Sequence, residues 1–311
     1  SAPDIESIYE IPVNFEKDNL SEILLKKLSL NSRQHNFSVW EKLTRRIKTV
    51  NQSLKIAVVG KYFKTGSFVL ADSYLSVIEA LKHAAYAAEI KPVLEWIDAE
   101  MFDPDIDKNW KKNLKILNQA AGVLVPGGFG SRGVEGKIRA IRYARENKIP
   151  YFGLCYGMQL MTIEFARYVA GFKDANTTEV NPETPHPVID ILPEQKINLA
   201  AKNYGATMRL GAYPAFLKKG TAAYAAYKKD AVSERHRHRY EVNPEYIERL
   251  EKSGLVFSGS SPDKKLMEIA ELPKTKHPFF LGTQFHPEFQ SSPLKPHPLF
   301  AAFIKAAKNK K

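Results

Sequence analysis

Cys155 is the sole cysteine among 311 residues, and glycines flank it in Gly153-Leu-Cys155-Tyr-Gly157, directly after an apolar run at 149–152. A strand running into a Gly-x-Cys-x-Gly corner and then a helical pattern has the form of a nucleophile elbow, with sulfur in place of a serine oxygen. A sulfur nucleophile needs a base, a group to orient that base, and donors for the oxyanion. His286 and Glu288 of Gln284-Phe-His-Pro-Glu288 follow a short apolar run and can supply the first two. For the third, Pro126-Gly-Gly-Phe-Gly130 follows another apolar run, and glycines stand at 127, 128, 130, 133 and 136. That is more glycine than a turn uses, and residues without side chains let backbone N–H groups approach a substrate closely. The amides of Gly128 and Tyr156 form the natural donor pair. Spacing alone leaves a second reading open, in which Cys155 is a small buried hydrophobe and His286 a satisfied core or surface residue.

To meet, these groups must lie at strand ends along one edge of a sheet. From residue 54 onward, strands and helices alternate. Strands are expected at 55–60, 92–97, 121–125 and 150–154, and helices at 73–88, 136–147 and from Met158 to Arg167. Buried β-branched runs in that alternation call for a parallel sheet covered on both faces. Later runs at 188–192, 206–210, 233–240, 255–258, 267–271 and 279–284 read as hairpin strands. Residues 1–50 differ, with two short amphipathic helical patterns at 20–30 and 39–50 and a start at Ser1 that reads as a cut end. A domain boundary is expected near 50–53, and the lysines at 305, 308, 310 and 311 read as a solvated tail.

Composition narrows the classes. One cysteine excludes an internal disulfide framework and fits a reducing compartment. No run approaches the roughly 18 apolar residues of a spanning helix, and no signal-peptide pattern opens the chain, so a cytoplasmic protein without a membrane partner is expected. The net charge of +12 invites a nucleic-acid reading. Acidic residues interrupt the basic ones almost everywhere, however. In a strand the alternation of Arg235-His-Arg-His-Arg239 splits the cations between two faces. Without interleaved aromatics no nucleic-acid partner is expected, and anionic small molecules account for the charge equally well. Gly60 to Gly66 is one residue too long for a phosphate loop, and no lysine follows it.

Several stretches together resemble the class I (triad) glutamine amidotransferase domain of the CTP synthase family. Gly153-Leu-Cys-Tyr-Gly-Met-Gln159 and Phe285-His-Pro-Glu288 are similar to class I amidotransferases generally. Pro126-Gly-Gly-Phe-Gly-Ser-Arg-Gly-Val-Glu-Gly136, Thr207-Met-Arg-Leu-Gly211 and Arg235-His-Arg-His-Arg-Tyr-Glu241 resemble CTP synthases in particular. The resemblance covers about residues 54–305. It implies an α/β, flavodoxin-like fold in which helices flank a central, mostly parallel sheet, with an additional antiparallel region. Residues 1–53 would be the end of a synthase domain and its linker, 54–307 the amidotransferase domain, and 308–311 a basic tail.

The same resemblance implies roles. Cys155 would attack the side-chain amide of L-glutamine, giving a γ-glutamyl thioester and ammonia. His286, held by Glu288, would protonate the leaving ammonia and then activate water. Gly128, Tyr156, Gly157, Met158 and Gln159 would bind the substrate and stabilise the oxyanion. Glu179 would face the α-ammonium and Arg239 the α-carboxylate, the opposite charges that an amino acid needs. Arg209 and Gly136 are implied in activation by GTP. No metal or cofactor is implied for this chain, since ATP and magnesium belong to the synthase domain. That domain is the implied partner, in a tetramer built mostly through it, and this chain alone would be a monomer or weak dimer. Two departures stand out: Tyr156 occupies a position where leucine is common, and without a synthase domain the chain would at most hydrolyse glutamine. A γ-glutamyl peptidase of the same fold and a regulatory module with a vestigial triad are the alternatives.

Overall fold

The computed structural model describes residues 4–31, 36–61, 74–191 and 208–310, and the backbone of 64–65 and 68–69. The strands are β1 (Ser53–Gly60), β2 (Lys64–Thr65), β3 (Phe68–Val69), β4 (Lys91–Asp98), β5 (Gly122–Val125), β6 (Tyr151–Leu154), β7 (Ala175–Thr177), β8 (His186–Ile191), β9 (Arg209–Leu217), β10 (Ala231–His238), β11 (Tyr240–Val242), β12 (Val256–Ser260), β13 (Met267–Glu271) and β14 (Phe280–Thr283). Nine of them make one sheet in the order β10-β9-β12-β13-β14-β6-β5-β1-β4. Its half from β14 to β4 is parallel, and from β14 outward to β10 every pairing is antiparallel. A small sheet, β11-β8-β7, lies apart.

Alternation along the strands builds the two core layers. In β1, Ala57 and Val59 face the layer formed by the helices Val134–Glu146 and Tyr156–Tyr168. Ile56 and Val58 face the layer of Leu75–Ala87 and Pro298–Lys308. Such two-sided burial is what a parallel sheet between helical layers demands. The edge strand β4 opens with Lys91-Pro92 and is only half-buried, which blunts further pairing at that edge. Among the described residues no helix is long and apolar enough to cross a membrane.

The helices expected near the start are Leu20–Lys27 and Ser38–Thr49. This segment is docked. Tyr9 is buried against the Leu75–Ala87 helix, its hydroxyl donates to Glu79, and the Trp40 indole N–H donates to the Tyr9 carbonyl at 2.7 Å. Two expectations need correction. The run expected at 233–240 is two strands, since the chain leaves the large sheet after His238 and β11 joins the small one. The expected solvated tail is largely helical, because Lys305 and Lys308 ride on a helix whose other face buries Phe303, Ile304 and Ala307. Beyond it, Lys310 donates to the carbonyls of Asn118 and Ala120 at 3.3 and 2.5 Å.

Candidate active site

Three strands adjacent in the sheet, β5, β6 and β14, end side by side and in parallel. Their carboxyl ends deliver Pro126–Gly130, Cys155 and Gln284–Glu288 to one place. Cys155 sits between β6 and its helix at φ 49°, ψ −98°, a left-handed conformation that a side chain rarely adopts. Its N–H donates to the Thr283 carbonyl at 2.6 Å, and its carbonyl accepts from Met158 and Gln159 at 3.0 and 3.2 Å. The turn is possible because Gly157 lies flat on β5, where an added Cβ would come 2.3 Å from the Val125 oxygen. Tyr156 takes the first helical position, where a backbone N–H has no intrahelical acceptor.

His286 is held from two sides. Its N–H donates to the Arg235 carbonyl of β10 at 2.8 Å, and its Nδ1 lies 2.7 Å from Glu288 Oε1. The ring stacks on Phe289 at 5.1 Å. A side chain on Gly127 would begin 2.8 Å from His286 Cε1 and 3.7 Å from Cys155 Cβ, so only glycine lets the loop close over both. Gln284 Nε2 donates to Cys155 Sγ at 3.7 Å, and Gln159 bridges Gln284 Oε1 and the Tyr240 carbonyl at 3.3 and 2.9 Å.

Electrostatics separate His286 from its neighbours. Burial disfavours an imidazolium there, but the charges of Cys155 and Glu288 and hydrogen bonds to both override it and raise His286 to about 11. His236 and His238, in contact at 2.9 Å, go the other way. Burial, reinforced by Arg209 and His286, lowers His236 to about 3; burial, the His236 charge and Arg209 hold His238 well below its usual range. Of these three histidines only His286 is favoured in its charged, doubly protonated form at neutral pH, and its partners are the sulfur and the carboxylate.

A cavity of about 560 Å³ opens over the sulfur, lined by Cys155, His286, Glu288, Gly127, Gly128, Gln159, Glu179 and Arg239. Glu179 Oε1 accepts the Gly130 N–H at 2.8 Å. Gly157 and Met158 do not line this cavity. Met158 is fully buried and packs on β14, where a side chain on Gly282 would meet it at 2.8 Å. The Tyr156 ring is also buried, so any direct contact of 156 to 158 with a molecule in the cavity is confined to the backbone. Arg209 lies behind the wall, paired with Glu241 and Glu268 at 3.3 and 3.0 Å and stacked on Tyr213. Burial raises both carboxylates, Glu241 to about 8. Gly136 packs where a Cβ would lie 1.8 Å from the Ala99 oxygen, away from the cavity. Thr207, beside Arg209 in its motif, lies outside the described residues. Sequence reasoning missed Gln284 and His238. Gln284 was legible within its motif; His238 acquires its place only from the β9–β10 pairing.

A sulfur with a protonated imidazole beside it and glycines lining the same cavity suits acyl transfer from an amide, in which nitrogen leaves with a proton. The description "Glutamine amidotransferase class-I" matches residues 69–306, and the chain belongs to that family. Within it the likeness is to the glutaminase domains of CTP synthases. The chain is 52% identical over its whole length to the CTP synthase of Pyrococcus abyssi and 50% identical over 98% of its length to that of Shouchella clausii. It spans about half the length of these relatives, 55% and 54%. The structure "Trypanosoma brucei CTPS - glutaminase domain with bound acivicin" superposes with a TM-score of 0.74 at 38% identity, covering 83% of this chain and 95% of that one.

Proposed function

We propose that this chain hydrolyses the side-chain amide of L-glutamine with Cys155 as nucleophile, His286 as acid and base, and Glu288 as orienter. The observation that carries this is the raised, carboxylate-bound His286 beside the sulfur at the mouth of the cavity. Sulfur attacks the amide carbon, and the C–N bond breaks as His286 gives its proton to the nitrogen, leaving a γ-glutamyl thioester and ammonia. Water then attacks the thioester and yields its proton to His286, the C–S bond breaks, and glutamate leaves. The oxyanion of each step is met by the N–H groups of Gly128 and Tyr156, with Gly157, Met158 and Gln159 shaping that corner. Glu179, with one carboxylate oxygen engaged by Gly130, takes the α-ammonium, and Arg239 the α-carboxylate. That charge pair suits a glutamyl group whose α-ammonium and α-carboxylate are both free.

The ammonia is proposed to serve an ATP- and magnesium-dependent amination of UTP to CTP in a partner synthase domain of a cytoplasmic, tetrameric enzyme. Arg209 and Gly136 do not line the cavity, so activation by GTP through them would act by shifting β9 or the Val134–Glu146 helix. The test is ammonia release from glutamine by the chain and by its Cys155→Ala variant. We expect the variant to fall to background. Undiminished turnover would refute the assignment.

A further inference from the structure

Gly130 has both of its backbone polar groups held by side chains from elsewhere in the chain. Its N–H donates to Glu179, and its carbonyl accepts from the Tyr156 hydroxyl at 2.8 Å. At φ +75° it occupies the left-handed region where glycine is unstrained. One residue earlier, the Phe129 carbonyl accepts from the ammonium of Lys61, a residue only 3% exposed at the end of β1. The peptides on either side of Gly130, 129–130 and 130–131, are thus fixed from three directions. Tyr156 does this at the closest range to the chemistry, since a side chain on Gly128 would begin 3.6 Å from the tyrosine ring.

We propose that Tyr156 is a positioning residue for the oxyanion site, its hydroxyl latching the glycine loop to the nucleophile's helix so that the Gly128 and Tyr156 N–H groups keep a fixed spacing. The inference rests on the glutaminase reading. A single residue then governs both donors: its backbone supplies one, and its side chain anchors the loop two residues beyond Gly128, which supplies the other. The phenol is 1% exposed, and burial with the nearby Glu179 charge raises its pKa, so it stays a hydrogen-bond donor. The Lys137 ammonium sits 5.5 Å from the ring centroid and helps seat it. A leucine would be smaller and would leave the Gly130 carbonyl without this donor.

The test compares Tyr156→Phe, which removes one oxygen, with the unaltered chain in glutamine turnover and in alkylation of Cys155 by iodoacetamide. Alkylation displaces iodide at a saturated carbon and develops no oxyanion. We expect kcat to fall about tenfold, part of what a missing oxyanion donor costs, with KM and the alkylation rate unchanged. Tyr156→Leu is expected to behave the same way and serves should the phenylalanine variant fold poorly. Unchanged kcat, a rise in KM alone, or parallel loss of turnover and alkylation would each overturn the proposal. Full turnover by Cys155→Ala would instead remove the reading on which it rests.

Discussion

At the scale of single residues, the site separates one charged histidine from two neutral ones by what each faces. Burial disfavours charge on all three. His236 and His238 also face each other and the Arg209 charge, with Glu268 and Glu241 at 3.5 and 3.4 Å, while His286 faces Glu288 and the sulfur, which outweigh its burial. An ordinary histidine loses its proton near 6.5, whereas His286 holds it to about 11. Because the folded value lies above the unfolded one, the stabilisation from this proton is complete below about 6.5 and is lost as pH rises through about 11. Glu288→Gln removes one of the two partners. We expect kcat for glutamine hydrolysis to drop by about 10² or more and the alkaline limb of the pH–rate profile to move toward neutrality. A profile that loses height without shifting would mean that Glu288 does not set the proton affinity of His286.

At the scale of elements, the elbow stores strain that the sheet and helix around it enforce. Cys155 stands at positive φ with its N–H bonded to β14 and its carbonyl capping two helical amides. Ordinarily glycine is less stabilising than alanine because it gains more freedom on unfolding. Here the order should reverse, with Cys155→Gly melting at or above Cys155→Ala in thermal denaturation; a clearly lower midpoint would show the elbow to be relaxed. The elbow was legible because its glycines, its cysteine and the apolar run before it are contiguous. So was the parallel half of the sheet, whose strands carry buried runs such as 56–60. What escaped depends on distant pairing. The break between β10 and β11 follows from β8 claiming Tyr240–Val242, and nothing in the Arg-His-Arg-His-Arg alternation announces it. The tie from Tyr156 to Gly130 spans 26 positions and leaves no local pattern. The last lysines read as a tail in sequence because their charge masks the apolar face of the helix, where Phe303 and Ile304 are buried.

At the scale of the molecule, the N-terminal segment and the cavity share a helix. Tyr9 packs on Glu79 and His83 of Leu75–Ala87, while Tyr74 to Val77 at the start of that helix line the cavity. Displacing the segment is therefore predicted to be felt locally before it is felt globally. Trp40→Ala removes the indole N–H donated to Tyr9, and limited trypsin digestion should then cut faster at Arg45 and Arg46 while Cys155 alkylation stays normal. Equal cleavage rates would show that Trp40 does not secure the segment. The adjacency of β5, β6 and β14 has a consequence of a different kind, for the order of folding. Cys155 and Gln284 are 129 positions apart, and β14 must insert between β6 and β13 before His286 can reach the sulfur. Non-local parallel pairing is slow because the loop-closure entropy is spent before the contacts form. A chain still emerging from the ribosome thus carries its cysteine without its base while the residues from 156 to 286 are made, and amide-cleaving power should arrive only as the central sheet closes.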